Sequence, residues 1–290
     1  MVVVSRLSGL GPSDMREHTA ELLAEAKAGS GAARVPYPIG IRELVVLRTA
    51  WLTQALVRLT LGGPGIDGFR SHAPEEHVRL IFPDEGGELR LPERDGNMLR
   101  WPRPMPISRE YTVRRHDPAS GELDVDVAVH PGGVASDWAV AVEPGERIHV
   151  AGPPGGFVVP GHYDRYLLAG DLTALPQIAR YLEELPRTAA GWAFVEVRDA
   201  AEEIELAAPP GFTVRWVHHG DAPAGTGDDL ERAVRSVVFP AGERPFVWIA
   251  GEAGAVKPLR RWVRDQGIPV GDFRIVGYWK RGVADFDDED

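Results

Sequence analysis

Near residue 160 the chain changes its rhythm, and that change leaves few folds open. Between Glu43 and Val150 stand six short β-like runs, ELVVLRTAWL, ALVRLTLGG, HVRLIFP, SREYTVRRH, ELDVDVAVH and ERIHVAG. Gly, Pro and Asp turns part them, with no helical spacing between. DVDVAV alternates strictly, which puts Val125, Val127 and Val129 on one face. Six strands without intervening helices predict a six-stranded antiparallel β-barrel. From Arg165 the runs RYLLAG, GWAFVEVRD, FTVRWVHH, PFVWIAG and DFRIVGY alternate with helical segments TALPQIARYLEEL, GDDLERAVRSVV and AVKPLRRWVRDQG. That alternation is the pattern of an α/β parallel sheet. The expected organisation is an arm with a short helix over 1–40 and a barrel over 41–158. An α/β domain over 159–282 and an acidic tail over 283–290 complete it.

Composition narrows the chemistry. The 290 residues include no cysteine, which rules out disulfides, cysteine-held iron–sulfur clusters, redox dithiols and a cysteine nucleophile. Any redox chemistry must then be carried by a bound cofactor. The net charge is −11, so non-specific nucleic-acid binding is not expected. The tail DFDDED reads as a solvated end. No apolar run is long enough to span a bilayer, and the first residues lack the features of a signal peptide. A cytoplasmic protein without membrane insertion is the expectation. Nine histidines include His218 and His219 but show no H-E-x-x-H or other ligand spacing, so no metal site is expected. A Walker A motif is also absent.

A barrel followed by an α/β domain suits two cofactors, a flavin on the first and a nicotinamide on the second. The run REYTVRR over 109–115 fits the flavin half. Arg109 can meet a pyrophosphate bidentately, Tyr111 can lie against a flat ring, and Thr112 can reach the ring's polar edge. Alone, the run reads equally as a barrel strand with surface arginines. HPGGVASDW follows the next strand, and its small-residue turn Gly133, Val134, Ala135, Ser136 opens a helix whose free N–H groups suit phosphate. Ser136 or Asp137 is the expected N-cap. In the second half, LAGDLTALPQI and WIAGEAGAV are strand-to-helix turns of small residues at a sheet's C-terminal edge. They place Asp171, Thr173, Ala174, Gly251 and Glu252 at a dinucleotide, with both turns expected to face one crevice.

Taken in order, LVRLTLGG, REYTVRR, DVAVHPGGVASDWA, AGPPGGF, AGDLTALPQIARYLEELP, WIAGEAGAVKPLRRW and GYWKRG resemble the siderophore-interacting protein family. These are flavin-dependent ferric-siderophore reductases of the ferredoxin-reductase-like superfamily. The likeness runs from about Arg42 to Gly282. It implies FAD as cofactor and NADH or NADPH as electron donor. Arg109, Tyr111, Thr112 and Arg114 then form the flavin strand, and flavin contacts come from Asp126, Val127, Val129 and His130 and from Gly133 to Ser136. Leu172 departs from the family, which often has an acid there.

The resemblance also implies a ferric siderophore as small-molecule substrate. Lys280 and Arg281 of GYWKRG are the first candidates to attract an anionic chelate, with Arg48 and Arg58 next; all four read equally as solvated surface charges. The tail acids that follow could fold back onto Lys280 and Arg281. Two other functions fit the same motifs: a flavin reductase that feeds a partner protein, and a non-catalytic siderophore-binding protein. Glu196 and Asp199 end the second α/β strand, where an acid favours NADH by binding a ribose hydroxyl, while Arg198 argues the other way.

Overall fold

In the computed structural model the described residues are 12–284, 286 and 288, with side chains from residue 17 on. The fold divides into two compact units. One holds 57–159 with the chain up to residue 51; the other holds the chain from 160 with residues 52–56.

The first unit begins with α1 (Pro12–Ala28), which stops at Gly29 as its sequence predicts, and β1 (Ala33–Pro36). Its sheet strands are β2 (Ile41–Thr53), β3 (Leu56–Gly62), β4 (His77–Ile81), β5 (Glu93–Asp95), β6 (Met98–Arg100), β7 (Ser108–Thr112), β8 (Arg115–Asp117), β9 (Glu122–Ala128), β10 (Arg147–Ala151) and β11 (Gly155–Val158). Helix α2 (Val134–Ala141) lies between β9 and β10. Seven of these strands form one sheet in the order β7-β4-β10-β2-β3-β9-β8. The alternating apolar residues of each strand meet inside it: Leu44 and Val46, Leu59 and Leu61, Val78 and Leu80, Val125 and Val127 are all fully buried.

Two expectations change here. The run read as one strand, SREYTVRRH, is two. β7 pairs antiparallel with β4 at one edge of the sheet, and β8 pairs antiparallel with β9 at the other. The handover takes two residues: Val113 N–H donates to Glu76 O and Arg114 N–H donates to Asp124 O, each at 2.9 Å. One short segment therefore bonds both edges and closes the sheet into a barrel, which leaves no free edge there. The arm, too, is more than a helix. β1 pairs antiparallel with β11 from Ala33↔Val158 to Pro36↔Gly155, and Leu23, Ala26, Val35 and Tyr37 pack with Ala73 and Val158 in a small core of their own. Four residues ending in proline carry too little pattern to read as a strand.

The second unit contains β12 (Arg165–Asp171), α3 (Leu175–Glu184), β13 (Ala190–Val197), β14 (Gly211–His218), α4 (Asp229–Arg235), β15 (Pro245–Glu252), α5 (Ala253–Val256), α6 (Leu259–Asp265) and β16 (Phe273–Trp279). Its sheet is parallel throughout, in the order β14-β13-β12-β15-β16. The central pair, β12 and β15, is covered on both faces, which is why LLAG and FVWIAG read as unbroken apolar runs. AVKPLRRWVRDQG, read as one helix, is α5 and α6, separated at Lys257 and Pro258. Proline lacks the N–H that a continuous helix would use there. Among the described residues no helix is long and apolar enough to cross a membrane.

Candidate functional site

On the barrel, the closing segment carries Arg109 and Tyr111, both half-buried, and Thr112, which is buried. Tyr111 packs against the barrel core. Burial pushes its phenol up to about 12, against the opposing pull of the Arg109 charge. Arg109 Nη1 donates to Ser108 O at 2.8 Å. The N-cap of helix α2 is Gly133, not Ser136 or Asp137, and no side chain caps it. Ser136 is instead buried, with its Oγ accepting from His130 N–H at 2.7 Å. A Cβ at Gly133 would lie 2.4 Å from the His130 ring, so glycine permits the imidazole to lie against the turn. A guanidinium, a desolvated aromatic ring and an uncapped helix N-terminus form a donor set that fits a planar ligand bearing a pyrophosphate.

Next to it, the outward face of β9 presents Glu122, Asp124 and Asp126 in register, and cations engage all three. Arg58 grips Asp126 through Nε and Nη2 at 2.7 and 2.8 Å, and Arg114 Nε lies 3.9 Å from the same carboxylate. Asp124 accepts from Thr60 Oγ1 at 2.6 Å and Arg115 Nε at 2.7 Å. Glu122 bonds Arg48 and Arg115, and these two hold its carboxyl down to about 2. Arg48 and Arg58, expected to attract a substrate, are thus tied to acids of β9. The Asp126 carboxylate, expected at the flavin, is buried against Arg58. Val127 lies in the core and Val129 packs on it half-buried, so their apolar side chains serve the barrel.

In the second unit the strand order reverses between β12 and β15, and Asp171 sits at that switch point. Its Oδ1 accepts from the Thr173 amide at 2.9 Å and from Thr173 Oγ1 at 2.6 Å; its Oδ2 accepts from Glu252 N–H at 2.9 Å and Trp279 Nε1 at 2.8 Å. Two glycines make the approach possible. A Cβ at Gly170 would stand 2.4 Å from Ala250 O, and one at Gly251 would stand 2.6 Å from Asp171 Oδ2. Burial pushes the Asp171 carboxyl up in spite of these donors. Glu196, at the end of β13, is raised by burial first and by Asp171 second.

A cavity of about 420 Å³ opens at these strand ends, lined by Glu196, Glu231, Glu252, Lys280 and Arg281 and by the loop Gly225, Thr226, Gly227. The loop was missed in sequence, although GTG just before α4 is a visible signal. Glu252 caps α5: its Oε2 accepts from Ala255 N–H at 2.8 Å and its Oε1 from Arg281 N–H at 3.1 Å. The Glu252 and Ala255 amides of this turn, expected to lie at a dinucleotide, therefore meet the chain's own carboxylates, those of Asp171 and Glu252. Ala174 is fully buried, and Asp171 and Thr173 bond each other. Arg198 points to Asp221 at 3.0 Å, and Asp199 caps the turn at Ala201, so of the acids ending β13 only Glu196 lines the cavity. Of the tail acids, Asp288 lies elsewhere than on Lys280 or Arg281. Asp288 accepts from Gly277 N–H and pairs with Lys257, and the Phe286 ring lies under the same lysine. Asp285, Asp287, Glu289 and Asp290 lie outside the described residues. Among the described residues no group of three or more His, Asp or Glu is arranged to hold a metal.

Comparison with known proteins covers both units. Residues 45–157 match the siderophore-interacting FAD-binding domain and 163–282 match the siderophore-interacting protein family. NADPH-dependent ferric-chelate reductase of Escherichia coli (strain K12) is 34% identical over 250 residues, covering 85% of this chain and 95% of its own. Ferric vibriobactin reductase ViuB of Vibrio cholerae serotype O1 is 32% identical over 248 residues, 83% of this chain and 90% of its own. The crystal structure of a siderophore utilization protein from T. fusca superposes with a TM-score of 0.84 at 43% identity, covering 89% of this chain and 99% of that one. More distant ferredoxin reductases share the fold alone.

Proposed function

Because the chain belongs to the siderophore-interacting protein family, we propose that it is an FAD-dependent reductase passing electrons from NAD(P)H to a ferric siderophore. The observation that carries this is the tandem match of a flavin-binding family and a siderophore-interacting family to the two units, with relatives named as ferric reductases over nearly their whole length. FAD, when bound, supplies the conversion of a two-electron hydride donor into one-electron delivery. Ferric iron accepts one electron at a time, so one nicotinamide serves two ferric centres. Ferrous iron is held less tightly by hard oxygen donors, and reduction releases it.

The chain's own residues position and shield. Arg109 and the open N-terminus of α2 would hold the pyrophosphate, with Gly133, Val134, Ala135 and Ser136 supplying backbone. Tyr111 would face the ring from its half-buried place on the barrel core, with its phenol neutral at working pH. Thr112, His130 and Arg114 flank that strand and turn. In the second unit the cavity at the switch point would take the nicotinamide donor. There Glu196 is placed for ribose hydroxyls, and Lys280 and Arg281 supply the positive charge that Glu252 and Glu231 lack. Those two cations, first read as substrate ligands, suit the donor's phosphates in this arrangement. No protein nucleophile or general base is required.

The test is a ferrous-trap assay on yellow, FAD-loaded protein with a ferric hydroxamate or catecholate. Two ferrous ions are expected per nicotinamide oxidised, and none without it. Nicotinamide oxidation that never appears as ferrous iron would overturn the assignment. Running NADH and NADPH side by side tests Glu196: a higher kcat/KM for NADH is expected, and a strong NADPH preference would remove Glu196 from the ribose.

A further inference from the structure

At one end of the barrel three arginines converge without an acid. Arg42 belongs to β2 and lies on the same face as Leu44 and Val46, the face that fills the barrel. Its guanidinium lies over the buried Phe69 ring, 5.5 Å from the centroid. Its Nε is buried with no hydrogen-bond partner. A methyl group built on Gly40 would stand 2.8 Å from Arg42 Nη1 and 3.4 Å from Arg94 Nη2, so two guanidinium groups share the space that only glycine leaves open. Arg70 completes the group, anchored by its Nη1 on Phe69 O at 2.7 Å. Burial, then the charges of Arg94 and Arg70, pull the Arg42 pKa down. Among the described residues none of the three forms an ion pair.

This arrangement contrasts with the rest of the barrel. Arg48, Arg58, Arg79, Arg115 and Arg147 each hold a carboxylate. A guanidinium that is partly buried, unpaired and repelled by two others is held at a cost in desolvation and repulsion. An anion between the three would offset both. Guanidinium groups match carboxylate and phosphate oxygens in bidentate fashion, and the mouths of small barrels are recurrent ligand sites.

We propose that Arg42, Arg70 and Arg94 form a binding site for a compact polyanion bearing carboxylate or phosphate oxygens. The residues are distinct from those assigned to FAD and to the nicotinamide donor. Such a ligand has two sources, a free oxyanion or the oxygen-rich shell of an iron chelate, and one experiment separates them. FAD-loaded protein, with no nicotinamide present, is titrated calorimetrically at low salt with citrate, ferric citrate and inorganic phosphate. Arg70→Gln and Arg94→Gln are titrated alongside; both residues are exposed, so the variants fold. At least one probe is expected to bind wild type, and each variant is expected to weaken it about tenfold, the effect of one charge-assisted hydrogen bond. Binding by citrate or phosphate assigns the site to free oxyanions; binding by ferric citrate alone assigns it to iron chelates. Absence of binding by all three probes, or undiminished binding in both variants, would overturn the site. Loss of FAD from either variant would overturn it as well, by placing the arginines in the cofactor site.

Discussion

Replacing Arg58 with methionine separates a structural arginine from a substrate-binding one. The Asp126 side chain is 1% exposed, and Arg58 meets both of its oxygens at 2.7 and 2.8 Å. Methionine keeps the apolar stem and removes the charge, so the carboxylate stays buried without its main partner. Breaking a buried pair from one side typically costs about 3–5 kcal/mol. Two features favour the lower end: Arg58 is 26% exposed, and Arg114 Nε remains 3.9 Å from Asp126. We therefore expect a loss of about 3 kcal/mol, or a Tm lower by about 6–12 °C for a unit of this size. Release of bound flavin, read by its fluorescence during urea or thermal unfolding, reports on the barrel alone. The double variant Arg58→Met with Asp126→Leu should recover most of the loss, because it removes the stranded charge as well. KM for an anionic ferric chelate should stay at the wild-type value in the single variant. A loss below about 1 kcal/mol, or a raised KM with unchanged stability, would refute the argument.

Other outcomes follow from single contacts. Arg109→Ala should purify folded by circular dichroism but without the yellow of bound FAD; full flavin occupancy would remove Arg109 from the pyrophosphate. Glu122, held down to about 2 by Arg48 and Arg115 from an ordinary 4.5, stabilises the fold fully above pH 4.5 and loses that contribution as pH falls towards 2. Tm measured against pH should therefore show wild type and Glu122→Gln converging in acid, separating between about pH 2 and 4.5, and keeping a constant gap above that. Asp288→Asn should weaken the contact to Lys257 and Gly277, lowering the unfolding free energy read from urea titration by about 1–3 kcal/mol. It should leave chelate KM unchanged, whereas a lowered KM would show that the tail masks a substrate site.

The two-unit plan was legible because period 2 and strand–helix alternation are properties of neighbouring residues. Val125 and Val127 in the barrel core and Asp171 at the end of β12 fell where the pattern put them. What stayed hidden depends on partners far along the chain. Nothing local in SREYTVRRH says that Val113 bonds one edge and Arg114 the other, since both halves keep extended backbone. Arg58 and Arg48 looked like free surface charges because their acids lie 68 and 74 residues away. Glu252 looked like part of a dinucleotide turn, and only the fold shows its carboxylate already on the Ala255 amide. Arg42 did leave a trace: it stands on the apolar face of its strand, two residues before Leu44.

The handover at Val113 and Arg114 ties recognition to integrity. The segment that joins the two edge strands of the barrel sheet is also the one that carries the side chains proposed above to hold the flavin. A flavin held as proposed by Arg109 and Tyr111 would clamp that closure, and its binding energy would add to the stability of the whole barrel through mass action. Without that ligand the closure rests on the pairing of β7 and β8 and on the Val113 and Arg114 amide bonds alone. A cell short of flavin would then carry this protein in a form open to proteases, so that the amount of folded enzyme follows the supply of the cofactor it needs.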